Sequence, residues 1–243
     1  MRVQVAAGLF VLAFAMAGVA AGHQEGGRAE AQGVRCELKL EGASPDQRQT
    51  DGEEPPLVMT TEPDGKVKGY LYSPAAFFVA KQQCTGDVPA GVLWQSWQGN
   101  QHLDGVQFTE SAARVHVYDG DPLGARTWKG PAGAEGVTFE DLPVDIRYGT
   151  DIQQTALAEP QSDGSAKVRY MALKYSPDAK AMIPYAGAGV TVLKQCDGGD
   201  STARATANGT GEFNVAVEAG CALRGAVDDS PDSWGLPVPL TVE

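Results

Sequence analysis

The sequence predicts an all-β protein made of two β-sandwich modules in tandem behind an export signal. Three observations predict it. Apolar residues fall on every second position in many short stretches, the period of a half-buried strand. Asp-Gly and Asn-Gly dipeptides, which supply the positive φ angles of tight turns, separate those stretches. From Val34 onward no stretch of three turns carries apolar residues at helical spacing.

The N-terminus sets the compartment. Arg2 precedes an apolar run, VQVAAGLFVLAFAMAGVAA from Val3 to Ala21, that ends in small residues and turns polar at His23. That pattern is a secretory signal peptide over residues 1–22, with cleavage after Ala17, Ala21 or Gly22, where Ala15, Val19 or Ala20 stands three positions back. No cysteine lies at the junction and the end LPVPLTVE has no long apolar tail, so no lipid anchor and no membrane insertion after cleavage are expected. Residues 23–33 (HQEGGRAEAQG) hold no large apolar side chain to anchor them to a core, and a disordered tail is expected there.

Strands are expected around Cys36-Leu38-Leu40, Val67-Gly69-Leu71, Val115-Val117, Val144-Ile146-Tyr148, Val168-Tyr170, Val190-Val192, Phe213-Val215-Val217 and Leu240-Val242. Turns are expected at Pro63-Asp64-Gly65, Asp119-Gly120, Asp163-Gly164, Asp197-Gly198 and Asn208-Gly209. An internal echo organises these elements. Asp64-Gly65-Lys66 leading to Tyr70 and Tyr72-Ser73-Pro74 recurs as Asp163-Gly164 leading to Lys167, Tyr170 and Tyr175-Ser176-Pro177. Two divergent copies of one module account for it: module 1 over residues 34–150, with an insertion at about 85–110 that the second copy lacks, and module 2 over residues 151–243.

Four cysteines, Cys36, Cys84, Cys196 and Cys221, lie in a chain expected to reach an oxidising compartment, so two disulfides are expected. Of the three connectivities, Cys36 with Cys84 and Cys196 with Cys221 keeps each bond inside one module. There is no CxxC and no cysteine–histidine cluster for zinc.

The strand pairs PLGARTWKGPAGAEGVTFEDLPVDIRYG and GAGVTVLKQCDGGDSTARATANGTGEFNVAVEAGCALRGAV resemble carboxypeptidase-regulatory-like, transthyretin-like and collagen-adhesin B-type modules. Those modules read as a G-A-x-V strand, a turn, then G-x-F/Y-x-F-x-x-L-P/A-x-G-x-Y. The resemblance implies Greek-key sandwiches of the prealbumin or immunoglobulin kind, and no activity. Collagen-adhesin modules carry an internal Lys–Asn isopeptide bond; Lys194 sits on a first strand, but the final strand VPLTV holds no Asn. Thyroxine-transporter-like hydrolases of the prealbumin fold end in Tyr-Arg-Gly-Ser, and this chain ends in TVE.

Chemistry-bearing residues are scarce. The net charge of −12 lacks the clustered Lys and Arg that nucleic acid requires, so no nucleic-acid partner is expected. Only His23, His102 and His116 are present, and no GxSxG elbow accompanies them. His116 alternates with Val115 and Val117 and is expected to face solvent. If cleavage falls after Gly22, the His23 amine and imidazole with His102 or His116 would form a copper brace, similar to that of secreted lytic polysaccharide monooxygenases. The segment VLWQSWQGNQH places Trp94, Trp97 and His102 among amides, a composition suited to stacking on sugar rings as well as to capping a core. Acid groups at Asp119 and Asp121, at Asp197 and Asp200, and at Asp228, Asp229 and Asp232 lack calcium-loop spacing and read as turn chemistry.

The expected function is a secreted, extracellular or periplasmic, non-catalytic binding, adhesion or structural protein. Trp94, Trp97 and His102 are the candidate ligand contacts, an extracellular protein or glycan is the partner, and no cofactor is expected. The alternative is a carbohydrate-active or copper-dependent enzyme using His23, His102 and His116.

Overall fold

Alternation of side chains does fold this chain into sheets. The structure, a computed structural model, describes residues 33–45, 54–87, 91–108, 112–132, 135–240 and 242. The expected signal peptide, the tail residues up to 32, and His23 with them lie outside the described residues.

Ten strands build the first half: β1 (Val34–Glu41), β2 (Val58–Thr61), β3 (Val67–Leu71), β4 (Ala75–Cys84), β5 (Leu93–Gln98), β6 (Gln101–Gln107), β7 (Ala112–Tyr118), β8 (Gly124–Lys129), β9 (Val137–Phe139) and β10 (Leu142–Gln154). One sheet has the order β7-β4-β1-β9, and facing it are β2, β3, β10, β8, β5 and β6. The two sheets close on a core that includes Leu38, Phe78 and Val117 from one side and Trp94, Trp128 and Ile146 from the other. Segment 85–110, expected as an insertion, supplies the β5–β6 hairpin of the second of these sheets.

The second half comprises β11 (Glu159–Pro160), β12 (Ala166–Ser176), β13 (Ala181–Pro184), β14 (Gly189–Cys196), β15 (Gly199–Thr206), β16 (Glu212–Val217), β17 (Ala222–Val227), β18 (Ser233–Trp234) and β19 (Val238–Leu240). A sheet β15-β14-β17-β19 faces β12 with its neighbours β10, β11, β13 and β16. After the β14–β15 hairpin the chain crosses to pair β16 with β12 and returns to pair β17 with β14. That crossing is the Greek-key connection. Val168, Tyr170, Phe213 and Val215 meet Val190, Val192 and Leu223 in its core. The expected Leu240–Val242 alternation stops early: Leu240 is buried, whereas Val242 lies beyond β19 and is exposed, with no sheet partner to fix its direction.

The two DG turns share one local geometry. Glu62 N bonds Lys66 O and Gly65 N bonds Glu62 O; Gln161 N bonds Ser165 O and Gly164 N bonds Gln161 O. Gly65 and Gly164 both take φ of 82°, a left-handed conformation that costs glycine little. Asp64 and Asp163 each accept from the backbone N–H two residues on, which is why Asp precedes Gly in both.

One strand belongs to both halves. Residues 142–148 of β10 pair with β3 and β8, and residues 150–154 pair with β12. Between them Gly149 is fixed by close approach, because a Cβ there would run into the Tyr72 ring. Tyr72 Oη donates to Thr150 O, and Thr150 Oγ1 donates to Trp234 O. A third cluster, with Val58, Tyr70 and Tyr72 from the first half and Trp234 and Leu236 from the second, fills the junction. Trp234 is its keystone. Lys68 Nζ lies 4.1 Å and Arg147 Cζ 3.8 Å from its ring centre, and its Nε1 donates to Asp145 O. Arg147 also holds the Asp145 carboxylate through Nε and Nη2 and donates to Ser230 O. Gly33–Glu243 accordingly forms one compact unit around two sandwich cores.

Both disulfides are present, Cys36–Cys84 and Cys196–Cys221. Cys36 and Cys84 are directly opposed on β1 and β4, and the second bond adjoins the Gln195–Ala222 pair of β14 and β17. Each therefore links neighbouring strands of one sheet and does not cross between sheets. In the chain-entropy account such loops stabilise by about 3–4 kcal/mol each. The double variant Cys196→Ser with Cys221→Ser is expected to lose about 3 kcal/mol, read as a lower denaturant midpoint with an equal or steeper slope, since the uncrosslinked unfolded chain exposes more surface. A midpoint equal to that of the unaltered protein would contradict the bond's stabilising role.

Candidate functional site

The β5–β6 hairpin carries the three residues that the sequence singles out. Gln98 and Gln101 are paired across a two-residue loop in which Gly99 has φ of 57°. Glycine at the first loop position is the requirement of a II′ hairpin turn. The register shifts between Ser96 and Trp97, so that Ser96 opposes Asp104, Trp97 opposes His102, and Leu103 is the extra residue of a bulge.

Alternation along β5 separates the two tryptophans. Trp94 and Ser96 point into the sandwich. Trp94 is 0% exposed, its Nε1 donates to Gln82 Oε1 at 2.7 Å, and its ring meets Phe139 edge-on at 5.5 Å. This corrects the expectation that Trp94 contacts ligand: its faces are covered by the core and its one donor is used. Trp97, three positions on, is half-exposed on the other face, and its ring centre lies 5.2 Å from that of the exposed His102. The two rings are cross-strand partners, inclined at 60°. The Gln98 amide donates to Leu123 O, tying the hairpin tip to the loop before β8.

His116 projects from β7 into solvent, stacked on Tyr118 two residues away and bonded through Nδ1 to Glu54 Oε1. A copper brace would need His23, which lies outside the described residues. Among the described residues no three of His, Cys, Asp and Glu come together as a metal-binding group. The acid groups serve turns and strand ends. Asp121 accepts from Tyr118 N, Asp228 from Thr191 Oγ1, Asp229 from Gly235 N, and Asp232 from Ser230 Oγ.

No helix among the described residues is long and apolar enough to cross a membrane.

No protein-family model matches the chain, those of the carboxypeptidase-regulatory and transthyretin-like groups included, and no curated protein matches it. Among solved structures, the chain is similar to native Escherichia coli alpha-2-macroglobulin, with 8% identity and a TM-score of 0.37 over 88% of this chain and 14% of that one. It is similar to fibronectin(III)-like modules of Clostridium thermocellum CbhA, with 11% identity and a TM-score of 0.27 over 84% of this chain and 93% of that one. A bacterial ice-binding adhesin aligns with 14% identity and a TM-score of 0.25 over 87% of this chain and 66% of that one. The chain thus spans 14% of the macroglobulin's length.

Proposed function

We propose that this chain is an exported, non-catalytic binding module, and that the Trp97–His102 ring pair is the face that meets an extracellular glycan. The ring pair carries the reading: two rings 5.2 Å apart stand on a hairpin whose other face is anchored in the core by Trp94. Half-exposed aromatic faces give sugar rings an apolar surface. The amides of Gln95 and Asn100 on the same hairpin supply polar groups for ring hydroxyls. Residues placed on a rigid sheet lose little entropy on binding. Export is supported by the two disulfides, which persist in oxidising compartments. N-terminal sequencing of the exported product is expected to begin after Ala17, Ala21 or Gly22.

The glycan reading is tested on a glycan array with the unaltered protein, Trp97→Ala and His102→Ala. Trp97→Ala is expected to weaken binding about tenfold, equivalent to about 1.4 kcal/mol, and His102→Ala to weaken it less. Absence of any glycan signal, or affinity indifferent to both changes, rejects the reading.

A further inference from the structure

β6 and β7 are the outer strands of the two facing sheets in the first sandwich, β6 pairing with β5 and β7 with β4. Between them opens a cleft of about 430 Å³, walled by Phe78, Val115, Val117 and Trp128, with Arg126 in its lining. That volume falls in the range of small-molecule sites, roughly 300–1,000 Å³.

Arg126 is out of place on hydrophobic grounds. It alternates with Trp128 on the inner face of β8 and is only 9% exposed. Its Nη2 donates to Pro122 O, while Nε is buried with no partner. Among the described residues, none of the ion pairs involves its guanidinium. Trp128 is 1% exposed, and its Nε1 is likewise buried with no partner. Folded proteins leave few such donors unpaired. Of the four buried unpaired side-chain atoms among the described residues, two belong to residues that line this cleft. Burial lowers the pKa of Arg126, against an upward pull from Asp121, Asp104 and Asp145. A guanidinium nonetheless stays charged at any physiological pH, so a cation without a contacting counter-ion sits beside a cleft that has both apolar walls and charged residues in its lining.

We infer that the cleft between β6 and β7 binds a small monocarboxylate with an apolar body. Its carboxylate pairs with the Arg126 guanidinium, and its body lies against Trp128, Val115 and Val117. A carboxylate is the natural partner of a guanidinium fork, and the bond is strongest where water is excluded. Asp104 and Asp121 line the same cleft, each held by one oxygen to a backbone N–H, of Gly105 and of Tyr118 respectively. Arg114 and His116 line the cleft as well, from the exposed face of β7; with two arginines against two carboxylates the lining carries no excess of positive charge, which favours a monoanion over a dicarboxylate or a phosphate. Arg126 faces the inner side of a sheet whose outer side carries Trp97, so this site is independent of the glycan reading and either can fail alone.

The Trp128 indole N–H reports directly on the cleft. In ¹⁵N-labelled exported protein its NMR signal is identified by its loss in Trp128→Phe, and followed during titration with benzoate, benzyl alcohol and phthalate. Benzoate is expected to shift it saturably at millimolar concentration, with benzyl alcohol and phthalate each about tenfold weaker or more. Arg126→Gln is expected to weaken benzoate by about tenfold or more. The proposal is overturned if benzoate gives no saturable shift, if benzyl alcohol or phthalate matches it, or if Arg126→Gln binds benzoate as the unaltered protein does. Should Arg126→Gln fail to fold, the comparison of benzoate with benzyl alcohol on the unaltered protein decides.

Discussion

Replacing Trp94 by alanine is expected to destabilise the protein by about 3–5 kcal/mol, the range for removing a large aromatic side chain from a core. The indole is fully buried, donates to Gln82 Oε1 and packs edge-on against Phe139. Truncation removes its apolar contacts, opens a cavity beside Trp128 and Val106, which share its core, and leaves the Gln82 acceptor without its partner. Trp94→Phe keeps most of the volume and drops the donor, and is expected to cost roughly half as much or less. Chemical denaturation followed by far-UV circular dichroism measures both. A loss below about 1 kcal/mol for Trp94→Ala would place the ring at the surface instead.

Trp234→Ala is expected to act on the junction, with a loss of about 3 kcal/mol or more and a change in how the protein unfolds. The ring stands under two cations, donates to Asp145 O, and belongs to a cluster contributed by both halves. Each cation–π contact contributes about 0.5–2 kcal/mol. The Asp229 and Glu62 carboxylates beside Lys68 hold its pKa above the ordinary value despite the opposing effect of burial. Its cation over the ring therefore persists throughout the neutral range. Without the ring, β10 remains as the shared strand but the packed contact between the halves is lost. Calorimetry of the unaltered protein is expected to give one transition, and that of Trp234→Ala two, because cooperativity between sandwiches depends on the interface between them. A single transition at unchanged temperature in the variant would remove Trp234 from this role.

Much of the fold was legible because the direction of a side chain on a strand is a local property. Val115 and Val117 are buried while Arg114 and His116 are exposed, as their parity requires. The DG turns were legible for the same reason, since Asp64 and Asp163 bond within their own loops. The candidate site was legible only in part. Trp94 and Trp97 differ by three positions and therefore occupy opposite faces of β5, so the spacing alone implies that the pair cannot act together. Which of the two faces is inside is not encoded locally; it depends on β4 and β9 bringing Gln82 and Phe139 to that side. Arg126 carried a fainter signal, an arginine in phase with Trp128 on a short strand, but that its Nε finds no acceptor is a fact about side chains far away in the chain.

By itself the sequence marked β1, β3, β7, β10, β12, β14, β16 and β19, the inward faces of those strands, the Asp-Gly and Asn-Gly turns and the supply of cysteines, because each follows from a few adjacent residues and the geometry of an extended backbone. Only the tertiary structure decided that both disulfides lie within sheets, that β10 serves two sandwiches, and that Trp234 of the second half is clasped by Lys68 and Arg147 of the first. It alone placed β6 and β7 at the outer edges of their sheets and, among the described residues, left the Arg126 Nε beside them without a partner. Those outcomes depend on which distant strands become neighbours, and that is set by the packing of whole sheets, to which no short stretch of sequence has access.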